Sequence, residues 1–239
     1  HEITATTGYT KTEAKIEDLM RFGSYPAVFD LPEKDARVLL ESIASNYLYK
    51  DILMFEKLKN SKQLLELLQL LALQLGSQVS YHELGQKLAL SSATVKKYID
   101  LLEKCFVVYT LPAFSRNKRN EIGKSVKIYF YDLGIRNSLV QAFTPLKLRN
   151  DVGALWENFC ITERIKFNQA NENYVNRYFW RTYKGEEVDY IEEHSGRLDG
   201  YEFKYNPKAK SKKPTKFLET YENASVKIVH RNNWSEFLL

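Results

Sequence analysis

Residues 185–205 constrain the fold most strongly, because their pattern predicts a β-hairpin that carries two carboxylates and a lysine. The first strand holds Asp189 among apolar residues, and the polar run EEHSGRLDG at 192–200 is expected to form the turn. The second strand holds Glu202 and Lys204. Since side chains alternate along a strand, these two residues share one face and their aromatic neighbours share the other.

The polar face of this hairpin has two interpretations. In the first, the second strand lies at the edge of a sheet, and its polar face is solvated and holds a cross-strand ion pair. In the second, Asp189 and Glu202 hold a hard divalent cation through oxygen, and Lys204 stands beside the attacked phosphate or its water. A further acid, Glu157, lies in the first half of a predicted helix at 152–167, where it is either solvated or part of the same site.

Composition is that of a globular protein. The chain has 239 residues, of which 44% are hydrophobic and 27% charged, enough for one large domain or two small ones. Its net charge of +5 permits a polyanionic partner. Cys105 and Cys160 lie in helical patterns, so a disulfide framework is not expected and a reducing cytosol fits.

The sequence contains no targeting or membrane segment that we can identify. No apolar run reaches the roughly 18 residues of a membrane-spanning helix, and the polar N-terminal stretch is unlike a signal peptide. We therefore expect a soluble, cytoplasmic protein. His1 stands in place of a starting Met, which indicates that the sequence begins inside a longer protein.

The order of predicted elements indicates an α/β chain, α+β overall, in three segments. Residues 1–60 are expected to form a helical connector, residues 61–145 a winged helix-turn-helix domain, and residues 146–239 a restriction-endonuclease-like α/β domain. In the last segment, a helix precedes three strands, a second helix and a final strand, which is the order of a restriction-endonuclease core.

The middle segment carries the signals of a winged helix. Ser80 and Glu83 match a capping box for a helix at 81–88, and Ser91 or Ser92 caps a second helix at 93–105 before a strand begins. In a winged helix, the N-terminal end of such a second helix enters the DNA major groove. The predicted DNA contacts are Ser92, Thr94, Lys96 and Lys97, in a helix whose Tyr98 is also expected to face outward.

Basic residues follow where the wing is expected. Arg116, Lys118 and Arg119 are predicted to contact DNA there, and Lys124 and Lys127 add to the charge. The alternative is that the winged helix docks a protein, because this fold alone does not decide function. A second lysine cluster follows the hairpin, and its Lys208, Lys210 and Lys212 either follow the phosphate backbone or belong to a solvated loop.

The spacing of Glu157, Asp189 and Glu202-x-Lys204 resembles the PD-(D/E)XK nuclease superfamily. Much of the chain also resembles the C-terminal region of a group of prokaryotic AAA-type ATPases. The resembling stretches are GSYPAVF at 23–29, NYLYKDI at 46–52, VSYHELGQKLALSSATVKKYIDLLEKCFVVYTLPAFSRN at 79–117, KIYFYDLGIRNSL at 127–139, WENF at 156–159, FWRTYKGEEVDYI at 179–191 and YEFKYN at 201–206.

This resemblance implies an N-terminal P-loop ATPase domain, a central winged helix and a C-terminal nuclease-like domain. The sequence lacks the motif GxxxxGK[ST], so ATP would be bound only by an ATPase domain that lies outside this chain. The resemblance also implies Mg²⁺ as cofactor. Asp189 and Glu202 would bind it, Glu157 would complete the coordination or orient water, and Lys204 would stabilise negative charge.

Three functional hypotheses follow. The first is a DNA-binding module with a metal-dependent nuclease site that hydrolyses phosphodiesters. The second is a non-catalytic nucleic-acid-binding or regulatory module of the ATPase. The third is a protein-interaction scaffold, which includes a homo-oligomer. Cleavage, salt-dependent binding without cleavage, and absence of binding distinguish the three hypotheses.

Overall fold

A computed structural model describes residues 15–47, 61–115, 126–209 and 214–238 of the chain. The chain divides into two compact units. The N-terminal unit comprises residues 2–110 and 128–150, and the C-terminal unit comprises residues 111–127 and 151–239. The chain therefore passes from one unit to the other twice before residue 150, and the two units are described separately below.

The N-terminal unit begins with helices. They are α1 (Ile16–Phe22), α2 (Glu33–Ser42) with a π-helical turn (Ile43–Tyr47), and α3 (Ser61–Leu73). A two-residue strand β1 (Gln78–Val79), α4 (Tyr81–Leu88) and α5 (Ser92–Lys104) follow. The strands β2 (Val108–Pro112) and β3 (Val126–Phe130) precede α6 (Leu133–Leu139) and a 3₁₀ turn (Leu146–Leu148). Residues 111–112 of β2 and 126–127 of β3 belong to the C-terminal unit.

The serine caps that the sequence predicts are confirmed. The Ser80 hydroxyl accepts the Glu83 N–H at the start of α4. The Ser91 hydroxyl accepts the Thr94 N–H, so Ser91 and not Ser92 caps α5. Each cap satisfies a backbone donor that the first helical turn leaves without an intrahelical partner.

The strands of this part of the chain form one sheet in the order β1-β3-β2. Helix α5 buries Val95, Ile99 and Leu102 and exposes Lys96 and Lys97. The prediction that Tyr98 faces outward is wrong, because its side chain is 5% exposed. Tyr98 lies three residues after Val95 and three before Leu101, which places it on the buried stripe of the helix.

The C-terminal unit contains the long helix α7 (Val152–Ala170) and four strands. The strands are β4 (Asn176–Arg181), β5 (Glu187–His194), β6 (Arg197–Lys204) and β7 (Ala224–His230). Helix α8 (Thr215–Thr220) lies between β6 and β7 in sequence, and α9 (Trp234–Leu238) ends the described chain.

These strands form a sheet in the order β4-β5-β6-β7, with antiparallel pairs β4–β5 and β5–β6 and a parallel pair β6–β7. The edge-strand interpretation of the hairpin is therefore wrong: β6 lies between two strands. Its neighbour β7 is reached through a connection that contains α8, as a parallel pair requires.

The predicted turn of the hairpin is also wrong in extent. Strands β5 and β6 extend to His194 and from Arg197, so only Ser195 and Gly196 lie between them. Both have positive φ, at 49° and 78°. Two consecutive positive φ angles are typical of the two-residue turns that match the twist of a hairpin. The other polar residues of EEHSGRLDG belong to the strands.

Apolar side chains hold the sheet on both faces. Trp180, Val188 and Ile191 form one cluster with Leu198, Phe217 and Tyr221. Elsewhere, Phe237 of α9 packs against the rings of Tyr201 and Phe203 on β6. Helix α7 packs against β6, and the Trp156 indole N–H donates to the Val229 carbonyl oxygen of β7.

The prediction of a mixed α and β fold is confirmed. The predicted boundary at residue 60 lies outside the described residues. The chain enters the C-terminal unit for the last time between Asn150 and Asp151, and residues 111–127, which were predicted to lie in the winged helix-turn-helix segment, also belong to the C-terminal unit. Across the described ranges, none of the helices has the length and apolar character needed to span a membrane.

Candidate functional site

Strands β5 and β6 bring Asp189 and Glu202 together. The paired residues of the two strands run from His194 with Arg197 to Tyr190 with Tyr201. Asp189 directly precedes Tyr190 on β5, and Glu202 directly follows Tyr201 on β6. Just beyond the last pair, the Phe203 N–H donates to Asp189 Oδ2 at 2.9 Å. The Asp189 side chain therefore binds the backbone between Glu202 and Lys204.

Asp189 is a buried acid, with 9% of its surface exposed. Burial raises the pKa of its carboxyl group, because desolvation disfavours the charged form. The nearby Lys127 ammonium, the Phe203 N–H and the Lys204 ammonium oppose this effect, and the pKa remains above its ordinary value. The carboxyl group thus lies within electrostatic range of both lysines.

Glu202 and Lys204 lie on the same face of β6, as the alternation of strand residues predicts. Glu202 is 5% exposed and Lys204 is half-buried. Lys204 Nζ lies 4.0 Å from Glu202 Oε2. The predicted residues Asp189, Glu202 and Lys204 are therefore neighbours at the end of one strand pair.

Glu157 on α7 is joined to this region through Lys127, at the start of β3. Lys127 Nζ lies 3.0 Å from Glu157 Oε1 and 2.6 Å from Glu187 Oε1 on β5. Its side chain is 2% exposed. Burial lowers the pKa of the Lys127 ammonium, but the carboxylates of Glu157, Asp189 and Glu187 outweigh it and hold the pKa above its ordinary value.

The carboxylate partners of Lys127 were not predicted from the sequence. In the sequence, Lys127 is one of the basic residues expected around the wing, and the structure buries its side chain between Glu157 and Glu187. One signal was available: Lys127 stands inside the apolar run of β3, between Val126 and Ile128. A lysine buried in a strand needs a carboxylate partner, because an unpaired buried charge is costly.

Asp189 and Glu202 carry the type of ligand atom that a hard cation prefers. Asp189 and Glu202 supply carboxylate oxygens, the ligands that Mg²⁺ prefers, and Mg²⁺ is commonly held by only one or two carboxylates. Within the described ranges, no group of three or more His, Cys, Asp or Glu side chains is placed to hold a metal ion. Glu157 instead has the Lys127 ammonium beside it.

The predicted DNA contacts are described only in part. Ser92, Lys96 and Lys97 are exposed on α5, and Thr94 is half-buried. Lys96 Nζ pairs with Asp100 Oδ2 at 2.7 Å. Lys208 is exposed in the loop after β6. The other predicted contacts lie outside the described residues; they are Arg116, Lys118, Arg119, Lys210 and Lys212. Lys124, counted with the basic residues of the expected wing, also lies outside them.

A second charged network, which the sequence did not reveal, fixes α7 to β5. Arg164 Nε lies 3.0 Å from Glu192 Oε1, and Arg164 Nη2 lies 2.8 Å from Glu192 Oε2. Asn168 and the Tyr190 hydroxyl also donate to Glu192 Oε1. Glu192 is 3% exposed, so its charge is compensated inside the protein. This network ties the helix of Glu157 to the strand of Asp189.

The N-terminal unit contains a cavity of about 210 Å³ beside α1. Its lining includes the apolar Leu19 and Phe22 and the ion pair between Lys15 and Asp30. None of the predicted site residues contributes to it.

Residues 13–147, more than half of the chain, match the family described as Domain of unknown function (DUF8612), and the chain belongs to this family. Residues 152–237 match a second family, described as Domain of unknown function (DUF4143). The latter is known as a C-terminal domain of AAA-ATPase-like proteins.

Similar curated proteins come from bacteria and an archaeon. The uncharacterized protein Rv2008c of Mycobacterium tuberculosis and Mb2031c of Mycobacterium bovis are each 31% identical over 131 residues, which cover 54% of this chain and 29% of the relative. The uncharacterized protein MJ1637 of Methanocaldococcus jannaschii is 27% identical over 130 residues, 53% of this chain and 27% of the relative. The match thus spans less than a third of each relative. No solved structure is significantly similar to the chain.

Proposed function

We propose that the chain is the DNA-binding C-terminal part of an AAA-type ATPase and that its C-terminal unit carries a magnesium-dependent nuclease-like site. The observation that carries this proposal is the meeting of Asp189, Glu202 and Lys204 at the end of β5 and β6. The match of residues 152–237 supports the association with an ATPase domain, which would bind ATP outside this chain.

The topology of the C-terminal unit supports the nuclease-like assignment. The chain order α7-β4-β5-β6-α8-β7 is that of the PD-(D/E)XK core that the sequence motif implies. The acid on β5 and the Glu202-x-Lys204 motif on β6 lie on adjacent antiparallel strands. Helix α7, which carries Glu157, packs against β6.

The N-terminal unit supports the winged-helix assignment. Helix α3, strand β1, helices α4 and α5, and strands β2 and β3 follow each other in the order of a winged helix. The short strand β1, which the sequence did not predict, completes a three-stranded sheet with β3 in the centre. In such a module α5 is the helix that enters the major groove.

The proposed chemistry is hydrolysis of a phosphodiester. Asp189 and Glu202 would hold Mg²⁺, which when bound supplies Lewis-acid polarisation of the phosphate and of the attacking water. Lys204 contributes a fixed positive charge that stabilises the negative charge developing on the phosphate oxygens. Its half-buried position strengthens this interaction, because nearby solvent is partly excluded.

Cleavage of supercoiled plasmid DNA in Mn²⁺ or Mg²⁺ tests the catalytic part of the proposal. We expect nicking by the wild type, loss in Asp189→Asn and Lys204→Ala, and retention in Arg197→Ala. Arg197 is the matched control, because it lies at the opposite end of β6 and is exposed. Equal nicking by Asp189→Asn and the wild type would assign the activity to a contaminant or to another site.

DNA binding is tested by its salt dependence. Each lysine that contacts a phosphate contributes about one unit to the slope of log affinity against log salt. We expect Lys96→Ala with Lys97→Ala to reduce the slope by about two units, and Lys62→Ala on α3 to leave it unchanged. An unchanged slope in the double variant would place the DNA surface elsewhere.

One observation favours a second function, a non-catalytic DNA-binding or regulatory module of the ATPase. The Lys127 ammonium already compensates the charge of Glu157 and Glu187, so these acids do not require a metal ion. Duplex binding with a steep salt dependence and no cleavage in Mg²⁺ or Mn²⁺ would support this function and contradict the nuclease.

A further inference from the structure

The Lys127 ammonium group lies between two carboxylates. Its Nζ contacts Glu157 Oε1 and Glu187 Oε1, and the ring centre of Phe179 lies 5.4 Å away. An ammonium group has three N–H donors and no acceptor, so two carboxylates and an aromatic face are suitable neighbours. The side chain is almost completely removed from solvent.

Resting on the proposed function, we infer that Lys127 is a built-in cation that takes Glu157 out of the metal-binding set and leaves Asp189 and Glu202 as the pair that faces a divalent ion. Lys127 on β3 joins two acids, Glu157 on α7 and Glu187 on β5, and all three residues lie in the C-terminal unit. Lys127 is therefore a positioning residue, which holds α7 against the strand of Asp189.

Direct contact with Lys127 separates the acids into two groups, because its Nζ pairs with Glu157 and Glu187. A divalent ion bound by the same Glu157 oxygen that contacts Lys127 would stand within direct Coulomb range of the ammonium and be repelled by it. Asp189 Oδ2 accepts a backbone N–H, and Glu202 lies beside Lys204. Asp189 is within electrostatic range of Lys127, but no direct ion pair joins the two in the described residues.

A double-mutant cycle between Lys127→Met and Glu157→Gln tests the pairing without any metal. Unfolding is followed by tryptophan fluorescence, because Trp156, Trp180 and Trp234 all lie in the C-terminal unit. Glu157→Gln should lower the folding equilibrium constant by one factor in the wild type and by a smaller factor in Lys127→Met. We expect the first factor to be at least ten times the second. Additive effects, within twofold, would overturn the inference.

Binding of Mn²⁺, measured by isothermal titration calorimetry, tests the division of the acids. Glu157→Gln should retain the wild-type affinity within about threefold, whereas Asp189→Asn and Glu202→Gln should each lose at least tenfold. Lys127→Met should bind Mn²⁺ more tightly, because Glu157 and Glu187 then lack their counter-ion. The Glu157→Gln result decides the question even where Lys127→Met fails to fold.

The outcomes separate this inference from the proposed function. A loss in Glu157→Gln as large as that in Asp189→Asn would overturn the inference and leave the metal site in place. Absence of Mn²⁺ binding in the wild type would overturn the proposed metal site, and the double-mutant cycle would then decide the pairing of Lys127 with Glu157 alone.

Discussion

Replacing Arg164 by Met should destabilise the C-terminal unit strongly, because it leaves the buried Glu192 carboxylate without its cation. Arg164 contacts both Glu192 oxygens, and its Nη1 donates to the Phe237 carbonyl oxygen at 2.7 Å. Breaking a buried ion pair by removing one partner costs about 3–5 kcal/mol. Since Arg164 is partly exposed and Asn168 still donates to Glu192, we expect about 3 kcal/mol.

The assay is urea denaturation followed by tryptophan fluorescence, which reports on the C-terminal unit. With a slope of about 1.5 kcal/mol/M, a loss of about 3 kcal/mol lowers the midpoint by roughly 2 M. Lys166→Met is the matched control, since Lys166 pairs with Glu163 three residues away on the same helix and its side chain is 34% exposed, against 18% for Arg164. A pair of that kind is worth about 0.5 kcal/mol, so the control should shift the midpoint by less than about 0.5 M.

A second variant separates charge from packing. In Arg164→Met with Glu192→Gln, the neutral amide can still accept from Asn168 and Tyr190, so part of the loss should be recovered. The lost hydrogen bond to Phe237 prevents full recovery. If Arg164→Met and Lys166→Met have equal midpoints, the network of Arg164 and Glu192 does not hold α7 to β5.

Three further predictions concern single residues. Asp189→Asn should stabilise the protein at pH 7 and less so near pH 4. The pKa of the buried Asp189 is raised, so the stability of the wild type falls as pH rises through the folded-state pKa. Thermal unfolding at both pH values tests this, and a variant less stable than the wild type at pH 7 would contradict it. Gly134→Ala should lower the free energy of unfolding by about 1–3 kcal/mol in chemical denaturation, because the added Cβ would lie 2.2 Å from the Phe22 carbonyl oxygen. Gly153→Ala, which has open space around the added Cβ, should be neutral or stabilising. Equal effects of the two variants would contradict this difference in packing. Ser91→Ala should destabilise α5 by about 1 kcal/mol, because the helix loses its N-cap. Denaturation followed by circular dichroism should then show a lower unfolding midpoint. An unchanged midpoint would show that the cap contributes nothing to stability.

Local features could be predicted from the sequence because their partners are close along the chain. The serine caps of α4 and α5 join residues three positions apart. The shared face of Glu202 and Lys204 follows from alternation within one strand. The order of helices and strands in the C-terminal unit follows from periodicity in the same way.

The hairpin turn was predicted too long because its polar residues have partners elsewhere in the fold. Glu192 is compensated by Arg164, 28 residues before it. Asp199 accepts from the Ser225 hydroxyl on the neighbouring strand β7. Polar composition usually indicates a loop, but here the sheet and α7 supply the partners that let these residues remain in strands.

The position of Lys127 could not be predicted for a similar reason. Its partner Glu157 lies 30 residues away and on another element. Nothing local distinguishes Lys127 from the other lysines of its basic segment except the apolar run around it. Strand β1 was missed because two residues carry no periodicity, and its pairing with β3 depends on the tertiary fold.

The most direct test of the site is an anomalous difference map from crystals of the chain soaked in Mn²⁺. We expect a peak between the carboxylates of Asp189 and Glu202, beside Lys204, with Lys127 Nζ still in contact with Glu157 and Glu187. A peak coordinated by Glu157, with Lys127 displaced, would contradict the role of Lys127. No peak at saturating Mn²⁺ would contradict the nuclease-like metal site itself.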